Sequence, residues 1–148
     1  MTNVQRSLRG ALLAAPAALL LACGDMIADP VQRRFLDCDL EQIYVNESRS
    51  GVLSSSDCIV DGTYTEMWYF DHRGSEDQVF VIDMESFDFD AYLVLYDYDT
   101  GRVIAENNDV NASDSDARLL GTLARGRYVI AATSFDPRET GQYVLTVD

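Results

Sequence analysis

Between Phe87 and Asp97 the chain reads FDFDAYLVLYD, and apolar and polar side chains alternate along it with a period of two. The odd positions are Phe87, Phe89, Ala91, Leu93 and Leu95, and the even ones are Asp88, Asp90, Tyr92, Val94 and Tyr96. Side chains alternate across a pleated strand, so the first set is expected to face a core and the second solvent or a partner sheet. No long segment beyond Cys38 carries helical periodicity. Short alternating stretches divided by Gly, Asp and Asn follow one another instead, which is the pattern of an all-β sandwich or barrel.

The other stretches fit the same reading. In residues 64–71 (YTEMWYFD) Trp68 and Phe70 fall on one face and Tyr69 on the other, and 72–77 (HRGSED) form the turn that follows. Phe80, Ile82 and Met84 share a parity, with Asp83 between the last two. Asp99-Thr100-Gly101 turns the chain into Arg102-Val103-Ile104-Ala105, and a polar loop runs from Glu106 to Asp116. Near the C-terminus Gly126-Arg127-Tyr128-Val129-Ile130 is echoed by Gly141-Gln142-Tyr143-Val144-Leu145. Two such units are too few for a solenoid or propeller. They read as neighbouring strands of one sandwich, joined through Ser134 to Thr140.

The first residues are an address rather than part of the fold. Arg6 and Arg9 precede an almost unbroken apolar run from Gly10 to Ala22. At about 13 residues the run is shorter than the roughly 20 needed to span a bilayer, and it fits the apolar region of a cleaved signal peptide. It ends in Leu20-Leu21-Ala22-Cys23, which resembles the lipobox of bacterial lipoproteins, although Leu21 stands where a smaller residue is commoner. The resemblance implies cleavage before Cys23, a lipid on its sulfur and acylation of the new N-terminus. The partner is then a lipid bilayer. Gly24, where an Asp would mark inner-membrane retention, points to the outer membrane, with Asp25 one place later weakening the rule. Residues 1–22 are thus assigned to the signal, 23–37 to the lipidated cysteine and a tether, and 38–148 to the β-domain.

Cysteine arithmetic agrees with this division. Three cysteines in an exported chain leave one over. With Cys23 lipidated, Cys38 and Cys58 remain as a pair in an oxidising compartment, and a disulfide between them is expected. Closing a loop of about 20 residues stabilises a fold by about 3 kcal/mol in the chain-entropy model. Charge narrows the function further. The chain carries 25 acidic and 11 basic residues, a net −14, and losing residues 1–22 removes two arginines and no acid, which moves it to −16. Nucleic-acid affinity rests on basic patches, so a nucleic-acid partner is excluded. Hydrophobic content of 47% excludes wholesale disorder.

Taken in order, the motifs resemble a known family. They are Asp61-Gly62-Thr63-Tyr64 with the Trp68/Phe70 strand, Phe89-Asp90-x-Tyr92-Leu93-x-Leu95, and the Asn107-Asn108-Asp109 loop. Ala117-Arg118-Leu119 and the two Gly-x-Tyr units complete the series. The order resembles the bacterial pre-peptidase C-terminal domain, a jelly-roll-like antiparallel β-sandwich, over roughly residues 58–148. Where that family shows Asn-Asp-Asp, this chain has Asn108-Asp109-Val110 and lacks one acid. The resemblance implies a secreted module of a kind often appended to hydrolases, some of which bind collagen, polysaccharide or Ca²⁺.

Candidate chemistry divides into four groups. His72 stands in a turn sequence without a nucleophile frame, since Ser54, Ser55 and Ser56 sit in no nucleophile elbow, and it is expected to be exposed. Asp88 and Asp90 lie two apart on the expected strand, a spacing of about 7 Å that suits an inverting glycosidase, but acids are so common here that solvated side chains are the plainer reading. Ca²⁺ takes several oxygen ligands, and Asp90, Asn108 and Asp109 are the candidates by family position, although no EF-hand is completed. Tyr92, Tyr96 and Tyr98 form an aromatic row that either lines an outward platform for sugar or peptide or packs as core. The chain is therefore expected to be a non-catalytic, membrane-anchored envelope module for a glycan, peptide or protein partner. A calcium-stabilised structural domain is the alternative, and a small hydrolase the third reading.

Overall fold

The computed structural model describes residues 38–110 and 115–148. The leader, Cys23 and the tether lie outside the described residues, as do Asn111, Ser113 and Asp114 of the polar loop. Ten strands account for most of the rest: β1 (Leu40–Gln42), β2 (Glu47–Leu53), β3 (Cys58–Val60), β4 (Thr63–His72), β5 (Gln78–Glu85), β6 (Ala91–Asp97), β7 (Val103–Asn107), β8 (Ala117–Leu123), β9 (Gly126–Ser134) and β10 (Gly141–Val147). They form two sheets. The first has the order β1-β4-β9-β6-β7 with β3 also paired to β4, and the second the order β2-β10-β5-β8. Pairing is antiparallel throughout except between β1 and β4. The expected all-β sandwich is the observed architecture.

The core is the space between the sheets. Phe70, Ile82, Met84, Leu93, Ile130, Leu145 and Val147 are fully withdrawn from water there, each from the parity that the sequence assigned to the interior. Burying a side chain of this size is worth about 1.5–3 kcal/mol, so the alternation itself supplies the driving force for pairing the sheets. Trp68, Phe70 and Tyr128 reach inward from the first sheet, and Phe80 and Tyr143 from the second. Phe70 lies between Phe80 and Tyr128, with ring centroids 5.6 and 5.4 Å away.

Two expectations are corrected. The strand foreseen from Phe87 begins only at Ala91, and Phe87 is fully exposed in a bend. β5 and β6 belong to different sheets, so residues 86–90 carry the chain across the sandwich. Their polar side chains hold that crossing. Ser86 Oγ donates to the Gln142 carbonyl at 2.9 Å, and the Gln142 N–H donates to Asp88 Oδ2 at 2.8 Å. Asp88 and Asp90 therefore do not share a strand face. The second correction concerns the Gly-x-Tyr echo. β9 and β10 are not neighbours but inner strands of opposite sheets, and Tyr128 and Tyr143 point at the same core from its two sides. Strand periodicity reports which face is buried, not which sheet a strand joins.

Gly51 of β2 shows how closely the sheets meet. A β-carbon there would fall inside the Tyr143 ring and against the Glu66 carboxylate. Tyr143 is 2% exposed and has no room to retreat. Gly51→Ala is expected to destabilise the protein by about 1–3 kcal/mol through overpacking, measured by urea denaturation. Gly121→Ala, where a β-carbon meets nothing within 4 Å, is expected to leave the midpoint unchanged or slightly raised.

Candidate functional site

At one end of the first sheet, Cys38 and Cys58 form the expected disulfide, with Cα atoms 5.4 Å apart. It ties the segment leading into β1 to β3, and both of these strands pair with β4. Beside it opens a cleft of about 270 Å³ lined by Asp39, Glu41, Ser56, Asp57, Cys58, Thr65, Glu66 and Met67. Four of these eight residues are carboxylates, and none of the four was among the residues singled out from the sequence.

Glu66 is the fixed member of the group. It falls at the same parity as Trp68 and Phe70, so β4 aims it toward the interior side of the sheet. The Trp68 indole N–H donates to the Tyr143 hydroxyl at 2.8 Å, and that hydroxyl donates to Glu66 Oε2. The Val52 N–H also reaches the carboxylate. Burial pushes the Glu66 pKa up, the Tyr143 hydrogen bond partly offsets this, and Asp57 and Glu41 add repulsion that raises it further. Burial and the bond to Glu66 likewise raise the Tyr143 hydroxyl well above its ordinary value. A carboxylate in a core-parity position of an otherwise apolar strand is the sequence signal that marks this site.

The aromatic row is divided by the structure. Tyr96 is 3% exposed, within an apolar cluster on the outward face of the first sheet together with Met67, Val94, Val129 and Ala131. Tyr92 and Tyr98 are partly exposed and flank it. The Tyr92 ring meets Phe135 edge-on at 6.3 Å, and burial with a hydrogen bond to Glu106 pushes its pKa up to about 12. Arg127 lies over the Tyr98 ring, 4.4 Å from its centroid, and pairs with Asp99. The three tyrosines thus share a face, and only the outer two present ring surface to a ligand.

Asp90 and Asp109 come near enough to repel each other. Burial raises the Asp90 pKa, and Asp109 and then Asp136 raise it further. Asp90 Oδ1 is buried without a hydrogen-bond partner. Asn107, rather than Asn108, shapes the loop: its Oδ1 accepts from the Asp109 N–H, and its side-chain N–H donates to the Arg118 carbonyl. Among the described residues no three His, Cys, Asp or Glu side chains converge to hold a metal ion.

His72 is corrected outright. It ends β4, is 3% exposed and packs edge-on against Phe80 with centroids 5.1 Å apart. Its Nε2 is engaged with the Glu76 carbonyl at 3.0 Å. The ring closes the end of the core, and among the described residues no hydroxyl nucleophile is bonded to it.

No protein-family model matches this chain, and no curated protein is significantly similar to it. The fold does have solved counterparts. The pre-peptidase C-terminal domain of a collagenase from Bacillus anthracis superposes over 74% of this chain and 95% of its own length, with a TM-score of 0.58 and 17% identity. A periplasmic inhibitor of g-type lysozyme from Aeromonas hydrophila covers 74% of this chain and 98% of its own, with a TM-score of 0.44 and 12% identity. The first likeness establishes the fold that the order of sequence motifs resembles.

The Glu66 environment generates a pH dependence. Its pKa is raised on folding, so over the interval between the unfolded and folded values the unfolded chain holds fewer protons. Stability then falls as pH rises through that interval. Wild-type protein is expected to lose stability relative to Glu66→Gln as pH climbs above the ordinary carboxylate range, and the difference levels off once Glu66 is ionised in both states. Thermal denaturation of both proteins across that range checks it, and parallel curves would contradict the assignment.

Proposed function

We propose that this chain is a non-catalytic binding module of the bacterial cell envelope, anchored through lipid on Cys23, and that the cleft around Glu66 takes a cationic group of its partner. The observation that carries the reading is the Trp68–Tyr143–Glu66 relay, which holds one carboxylate in a fixed place at a concave, acidic surface. A side chain positioned in advance loses little freedom on binding, which is the usual route to affinity from a small site. Asp39, Glu41 and Asp57 surround it with like charge, so an arginine, lysine or amino-sugar nitrogen relieves repulsion as well as forming an ion pair. Protein, peptide and amine-bearing glycan all carry such groups.

A non-enzymatic role is supported by the use that the fold makes of its one histidine. His72 is committed to Phe80 and Glu76, and the hydroxyls bonded to the cleft carboxylates, Ser54 on Asp57 and Tyr143 on Glu66, have no imidazole in the cleft lining beside them. Outer-membrane sorting remains the expectation from Gly24. The full chain, labelled in growing bacteria with a tagged fatty acid and cross-linked before capture, tests anchor and partner together. The label is expected to vanish in Cys23→Ser. Partner capture is expected to fall at least tenfold in Glu41→Gln/Asp57→Asn/Glu66→Gln and to weaken with added salt, as surface ion pairs do. Capture indifferent to both would overturn the cleft as the binding site.

A second reading, a calcium-stabilised structural domain, is favoured by the unpartnered Asp90 Oδ1 beside Asp109. Under that reading, Ca²⁺ added to chelator-treated protein raises the melting temperature, and Asp90→Asn removes the rise. Under the binding-module reading, neither calcium nor chelator moves it.

A further inference from the structure

Basic side chains are scarce in a chain with 25 acids and 11 bases, yet three arginines line a single cavity. It has a volume of about 250 Å³ and is bounded by Asp71, His72, Arg73, Arg125, Gly126 and Arg127, at the end of the β4–β9 ladder. Asp71 pairs with Arg127 and His72 with Gly126, which is the last step of that register. The next residue along each strand is an arginine: Arg73 follows β4, and Arg125 leads into β9. Continued by one step, the register sets these two opposite each other, and like charges so placed repel. Six residues of β4, about 20 Å, separate this end from Glu66, so the cavity is distinct from the acidic cleft.

The neighbouring acids leave that repulsion in place. Asp71, the one carboxylate among the described lining residues, accepts from Arg73 at 2.8 Å. Arg127 is held by Asp99 and by the Tyr98 ring. Arg125 is exposed and pairs with no carboxylate among the described residues. A guanidinium carries five N–H donors, and one bond to a carboxylate leaves most of them open. The Arg73 side chain is 81% exposed, so its fork is free to turn toward Arg125. An anion between the two cancels the repulsion and takes up these donors together.

The chemistry of that anion follows from the directions of approach. Guanidinium groups reach the cavity from both strands. A carboxylate presents two oxygens in one plane, whereas a phosphoryl group presents three that diverge and carries nearly two charges at neutral pH. The net −14 of the whole chain repels a polyanion, so the cavity suits a single phosphoryl group on a small carrier. We propose that this cavity binds the phosphoryl group of a small phosphomonoester, with Arg73 and Arg125 closing on its oxygens from opposite strands and Arg127 adding a third positive charge.

Calorimetric titration of the full chain in phosphatidylcholine nanodiscs, at constant ionic strength, tests this with glucose 6-phosphate, inorganic phosphate and glucose. Glucose 6-phosphate is expected to bind and glucose to give no heat. Equal binding of inorganic phosphate supports the site and assigns free phosphate as its ligand. Arg73→Gln/Arg125→Gln is expected to lower the affinity at least tenfold. Arg49→Gln/Arg118→Gln, which removes the same charge from the second sheet, is expected to leave it unchanged. The melting temperature of Arg73→Gln/Arg125→Gln in low salt is expected to match or exceed that of wild type, as relief of like-charge repulsion requires, and a lower one would contradict the repulsion on which the site rests. No heat from either phosphate, or an equal loss of affinity in both double variants, would overturn the proposal.

Discussion

A hydrogen bond between the two sheets organises this molecule. Tyr143 belongs to β10 and Trp68 to β4, so the indole-to-hydroxyl bond at 2.8 Å crosses the core rather than running along a ladder. A tyrosine hydroxyl buried without a partner would cost the fold about 1–3 kcal/mol. Satisfying it requires Trp68 on one side and Glu66 on the other, and their spacing of two on β4 places both on the same face of that strand. That geometry in turn demands a residue with no side chain at Gly51. Four residues from three strands are thus interdependent, and the acidic cleft is the solvent-facing end of their network.

Much of the sandwich was legible because burial on one face imposes a period of two, and Phe80, Ile82, Met84, Leu93 and Leu95 obey it. What periodicity cannot encode is sheet membership. Phe87 continued the apolar parity of its neighbours yet lies in the crossing, where Ser86 and Asp88 bind β10 and end the pattern. The early strands β1 and β2 were missed because Ser48, Ser50 and Gly51 carry little hydrophobic contrast in a strand that buries mainly Leu53. Among site residues the disulfide followed from counting, whereas the cleft did not. Glu66 became conspicuous only with Tyr143, 77 positions later, in contact with it. His72 was misplaced for a related reason: a turn-like sequence follows it, but the residue itself is the last of β4 and caps the core.

Charge is distributed with less uniformity than the net −14 implies. Acids in the β5–β6 crossing and in the turn after β6 are held by backbone groups: Asp88 accepts from Gln142, and Asp97 accepts from the Thr100 N–H and hydroxyl at 2.7 Å. The Thr100 hydrogen bonds depress the Asp97 pKa. Glu66 and Asp90 are shifted the opposite way by burial. Ionisation of Asp97, which shapes its turn, is thus stabilised by the fold, whereas ionisation of Glu66 and Asp90 is opposed.

The Cys38–Cys58 bond also has a mechanical consequence. β1 is a strand of only three residues, and a pull on the N-terminal side of the fold would by itself peel it from β4 one hydrogen bond at a time. Because Cys38 is joined covalently to β3, the load divides between two strands that lie end to end on the same edge of β4, opposite β9, and run in opposite directions along it. β1 then leaves that edge only if β3 yields with it, so the hydrogen bonds of both short strands must fail together. Reduction of that one covalent bond leaves the three residues of β1 to carry the load alone.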